Sequence, residues 1–132
     1  MQRRVTPATI QAAERREREA AAPRLATEIP GLAALDIHFE EESSYAAPLV
    51  SYVRRVVVGI APAHFEVTCG DSACKDGGHD LTSSILLALR SRKIEFSGDD
   101  ACHGSVKVSA CRRVLRYKAT ARYEVAESAG AR

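Results

Sequence analysis

The sequence predicts an α+β fold: a small antiparallel sheet of four to five strands, one packed helix and a polar N-terminal helix. Three observations carry this. Apolar and polar residues alternate with period two over residues 35–39 and 111–125, the pattern of half-buried strands. Residues 80–93 instead place Leu81, Ile85, Ala88 and Leu89 on one helical face. Four cysteines stand in two separated pairs, Cys69 with Cys74 and Cys102 with Cys111, a distribution that suits one metal ion joining two distant segments. A zinc staple therefore completes the predicted fold.

Residues 7–22 read as the first helix. Thr6 can cap it, Pro7 suits the first helical position and Pro23 ends it. Glu14 with Arg18, and Arg15 with Glu19, are opposite charges four residues apart, worth about 0.2–0.5 kcal/mol each. Ile10 is the only large aliphatic residue before Leu25. The helix is thus polar all round, and residues 1–30 are expected to form a loosely attached or partner-binding extension.

The turn Pro30-Gly31 leads into a stapled domain over residues 31–126. Leu35, Ile37 and Phe39 alternate with Asp36, His38 and Glu40 as a first strand, which the acidic run 40–42 should end as a solvated loop. The β-branched residues 50–60 predict a second strand and residues 64–69 a third. Residues 69–79 carry three Gly and two Asp, too many for regular structure. Asp80 or Thr82 then caps the packed helix, which gathers Arg90, Arg92 and Lys93 where its dipole favours cations. A short strand at 94–96, a loop at 97–100 and a small hairpin near 105–108 should follow. In the last strand Leu115, Tyr117, Ala119, Ala121 and Tyr123 share one face, with Arg112, Arg116, Lys118 and Arg122 on the other. Residues 127–132 read as a disordered tail.

The cysteine chemistry favours a structural Zn²⁺ bound by Cys69, Cys74, Cys102 and Cys111. Zinc takes four borderline-soft ligands tetrahedrally, and Gly70 and Gly104 let the backbone bend beside a metal. The arrangement is loosely similar to zinc-ribbon and treble-clef-like modules. Its spacings of four, twenty-seven and eight residues match no standard finger signature. His79 or His103 replacing one thiolate, a pair of disulfides, or free buried thiols are the alternatives. Four thiolates around Zn²⁺ leave a charge of −2, which Lys75, Arg112 and Arg113 are placed to offset. His79-Asp80 invites a general-base reading, but capping by Asp80 explains it more simply, and no metalloprotease or deaminase motif is present. Asp71, Asp76, Asp99 and Asp100 read as loop-forming groups.

Charge is segregated along the chain. Net charge is +2 over residues 1–34, −5 over 35–80 and +5 over 81–132. The basic strand face could meet an anionic partner, but Tyr117 and Tyr123 lie on its opposite face, so it lacks the exposed rings of a base-stacking platform. The first expectation is a non-enzymatic binding module that contacts nucleic acid or a protein assembly. A zinc-dependent hydrolase or thiol redox protein is the second, and a homodimeric adapter joining the acidic middle to the basic end the third. The first residues lack the apolar run of a signal peptide, and no stretch approaches the roughly 20 apolar residues of a membrane span, so a cytoplasmic protein without a membrane partner is expected.

Overall fold

The computed structural model describes residues 7–42, 48–70, 74, 77–106, 109–111 and 113–124. The expectations placed on Thr6, Asp71, Lys75, Asp76, Arg112 and the tail 127–132 lie outside the described residues. In chain order the elements are α1 (Pro7–Ala21), α2 (Leu25–Glu28), β1 (Leu32–Glu42), β2 (Pro48–Val56), β3 (Glu66–Val67), β4 (His79–Asp80), α3 (Thr82–Arg90), β5 (Glu95–Ala101), β6 (Ser105–Val106), β7 (Ser109–Ala110) and β8 (Val114–Tyr123). They make the predicted small α+β fold, with a four-stranded antiparallel sheet in the order β2-β1-β8-β5 and two two-stranded hairpins, β3-β4 and β6-β7.

The two central strands are the ones with the cleanest alternation. On β1, Leu35, Ile37 and Phe39 are buried, and on β8 so are Leu115, Tyr117, Ala119 and Ala121. Helix α3 covers this face with Ile85, Leu86 and Leu89, while Leu87 points outward. Leu25, Ile29, Ala61, Ala63 and Phe65 close the same core. Residues 23–29 therefore belong to the packed body: Leu25 N–H donates to the Ala61 carbonyl and Ala63 N–H to that of Pro23. Helix α1 makes its contacts through polar groups. Arg15 donates to Thr68 Oγ1, and Arg18 grips the Glu66 carboxylate with two nitrogens.

Helix α3 is shorter than the sequence suggests. Asp80 Oδ1 accepts the Thr82 N–H, and Thr82 Oγ1 accepts that of Phe65, tying the helix start to the preceding segment. At its other end Arg92 adopts the left-handed region at φ 57°, and Lys93 N–H reaches back to the Ala88 carbonyl. Glycine is usual there. Here the guanidinium donates to the Pro30 carbonyl at 2.7 Å and lies 5.0 Å from the Tyr123 ring centre, contacts glycine could not make.

Four further segments depart from expectation. Residues 97–100 are strand, not loop, because Gly98 pairs with Tyr117 and its missing side chain makes room for that ring; a Cβ there would lie 2.8 Å from Tyr117 Oη. The acidic run does not end β1 but continues it to Glu42, with Glu41 on the buried face. The second strand stops at Val56, since residues 57–61 turn through bonds from Ile60 and Ala61 N–H to the Val57 carbonyl, leaving Val57 and Ile60 exposed. The third strand shrinks to Glu66–Val67, and the chain bends at Gly70.

Candidate metal centre

Two hairpins bring the sulfur atoms together. The first is β3-β4, whose connecting segment holds Cys69 and Cys74. The second extends the β5–β8 pairing: beyond Ala101 and Val114, Cys102 N–H donates to the Arg113 carbonyl and Cys111 N–H to that of Gly104, before β6 and β7 pair. Cys102 and Cys111 therefore sit almost opposite each other at the neck of one ribbon, which is why eight residues separate them.

All four side chains are buried, and their sulfurs lie within 4.8 Å of one another. Two approaches between the hairpins are 3.7 Å for Cys69–Cys111 and 3.6 Å for Cys74–Cys102. A disulfide needs about 2.05 Å, so neither pair is joined by one. Such a group could hold a metal ion.

Glycine shapes the cage. A Cβ on Gly77 would stand 2.3 Å from Cys74 Sγ and 2.5 Å from Cys102 Sγ, and Gly78 takes φ +115°. That conformation aims the Gly78 N–H at Cys102 Sγ, 3.2 Å away, and the Gly104 N–H approaches the same sulfur at 3.5 Å. Without a metal the thiols differ. Burial raises Cys74 most, and its sulfur neighbours add to this, so it is pushed up to about 12. Burial also opposes the Cys102 thiolate, but the two backbone donors outweigh it and bring the thiol below its ordinary value.

Beside the sulfurs lies a buried polar chain. His79 is fully enclosed, with Nε2 2.8 Å from Glu41 Oε2 and Nδ1 3.1 Å from Asp100 Oδ2. Burial works against charge on the ring, yet the two carboxylates prevail and raise its pKa above the ordinary 6.5. Both ring nitrogens are engaged by carboxylates, so His79 stands outside the sulfur group, and His103 is exposed. Sequence reasoning missed Glu41, although a signal was there: it shares the parity of Leu35, Ile37 and Phe39.

The basic residues take a different setting from the one the sequence suggests. Arg116, Lys118 and Arg122 are exposed on the open sheet face, but Arg116 is flanked in register by Glu40 on β1 and Asp99 on β5, and Asp36 pairs with Arg55. Glu40 of the acidic middle thus stands beside Arg116 of the basic end within one molecule, whereas Lys118 faces His38 and Ser97. Among the described residues no helix is long and apolar enough to cross a membrane. No protein-family model, curated protein or solved structure matches this chain.

Proposed function

We propose that the chain is a non-enzymatic binding domain held by one structural Zn²⁺ on Cys69, Cys74, Cys102 and Cys111, with its open sheet face turned to a protein partner. The sulfur spacing carries the reading. A tetrahedron of Zn–S bonds near 2.3 Å has edges of about 3.8 Å, and the Cys69–Cys111 and Cys74–Cys102 sulfur pairs stand at 3.7 and 3.6 Å. Four thiolates also complete the coordination, whereas a catalytic zinc keeps one position open. The adjacent imidazole is enclosed between carboxylates and faces no solvent, which argues against general-base work.

The partner class follows from the sheet face. A phosphate backbone is met by cations of one sign. Here two carboxylates, Glu40 and Asp99, and two cations, Arg116 and Lys118, line one groove of ≈ 460 Å³, a mixture that suits the mixed charges of another protein.

Metal analysis with X-ray absorption on the purified protein tests the site. One zinc per chain with four sulfur ligands is expected. A cysteine disulfide, or a zinc with fewer than four sulfurs, refutes it. For the partner, titration with single- and double-stranded nucleic acid at low salt should show no binding. Binding that falls with salt and weakens in Arg116→Glu would assign nucleic acid instead.

A further inference from the structure

Glu41 reaches, directly or through His79, each segment that carries a proposed zinc ligand, although Cys69, the nearest of the four in sequence, is 28 residues away. Its Oε1 accepts the N–H of Gly70, the residue after Cys69, at 2.9 Å. The same oxygen lies 3.6 Å from Arg113 Nη1, two residues beyond Cys111. Its Oε2 stands 2.8 Å from His79, which follows the Gly77-Gly78 bend after Cys74. Through His79 the chain of bonds extends to Asp100, two residues before Cys102. Gly70 fits this arrangement too: a Cβ there would lie 2.2 Å from Glu41 Oε1, so the carboxylate occupies the space of a side chain.

A carboxylate 2 % exposed is costly to bury unless its partners repay that loss. A hydrophobic residue at this parity would simply have continued the core. We infer that Glu41 is a positioning residue for the metal centre, which with His79 and Asp100 holds the two cysteine-bearing hairpins in register and sets how tightly the metal is kept. The inference rests on the zinc reading above. Groups that orient metal ligands from outside the coordination sphere commonly contribute about 10–100-fold in affinity.

The test is the rate at which zinc passes to a chromophoric chelator, measured on the wild type, Glu41→Gln, Asp100→Asn and Leu89→Ala. Glu41→Gln keeps the side-chain volume and an oxygen for Gly70, but loses the charge that faces His79 and Arg113. Its zinc release should quicken by about 10–100-fold. Asp100→Asn, at the more exposed end, should move it in the same direction by less, and it carries the test if Glu41→Gln does not fold. Leu89→Ala weakens the apolar core away from these bonds, and should lower the melting temperature while leaving release near the wild-type rate. Wild-type rates in both polar variants overturn the inference, as does equal quickening in Leu89→Ala. A wild type that holds no zinc instead fails the metal reading itself, so the two failures are told apart.

Discussion

Alanine at position 77 probes the sulfur cage most directly. Gly77 needs no left-handed backbone, so the added methyl acts through space alone. It would stand 2.3 Å from one sulfur and 2.5 Å from another, against an ordinary contact that begins near 3.4 Å. The two sulfurs must therefore withdraw by about 1.1 and 0.9 Å, the differences between those distances. Metal–ligand distances tolerate only about 0.2 Å. Overpacking of a close-fitted interior costs ~1–3 kcal/mol. At 1.4 kcal/mol per tenfold this is a loss of about 5- to 150-fold in zinc affinity, and a lower bound if the cage opens altogether. Competition against a chelator of known affinity measures it. Gly59→Ala is the control, since nothing lies within 4 Å of its added methyl, and it should bind zinc as the wild type does. A Gly77→Ala protein that holds zinc at wild-type affinity would refute the proposed cage.

The other predictions follow the same geometry. Chelation of the metal, or Cys111→Ser, should remove amide-exchange protection from residues 66–69, 77–80 and 101–106 before residues 35–39 and 85–89 lose theirs; simultaneous loss would show that the centre is not a local staple. Helix α1 should undock in acid. Burial opposes the Glu66 charge, but hydrogen bonds from Arg18 and His64 outweigh it and hold the carboxyl below its ordinary 4.5. A lowered pKa stabilises the docked helix fully above 4.5, and the contribution fades as pH falls through the folded value. Protection factors of residues 9–21 should drop across that window, and constant values down to pH 3 would be incompatible with an ionic clasp. Glu66→Gln should give the acid behaviour already at pH 7.

Sequence alone reached those features whose cause is local. Alternation identified β1 and β8 because each has one face against the core and one in water, and Ile85 and Leu89 located the inner side of α3 for the same reason. The cysteines could be grouped because four sulfur ligands in two bends suggest a common metal before any distance is known. What escaped depends on partners far along the chain. Gly98 and Asp99 read as loop, yet Tyr117 covers the glycine and β8 supplies the ladder. His79 finds Glu41 and Asp100 at separations of 38 and 21 residues. The basic face of β8 reads as an anion site until its neighbours in the sheet are known, and both neighbours present acids to Arg116.

The same register explains why the sulfurs stand at one end of the sheet. Along the inner face of β1, Leu35, Ile37 and Phe39 give way to Glu41; along β5, Phe96 and Gly98 give way to Asp100. Apolar side chains are thus used up toward the end where β1 finishes and the β5–β8 ribbon continues into its hairpin. A chain with 5 % aromatic residues and no Trp has little bulk to spare for that region. There the inward positions are filled by four thiols and by a carboxylate–imidazole–carboxylate chain, and the latter is costly to bury without partners. Hydrogen bonds meet the need of that chain. Two backbone donors meet the Cys102 sulfur, and the four sulfurs together could hold a metal ion.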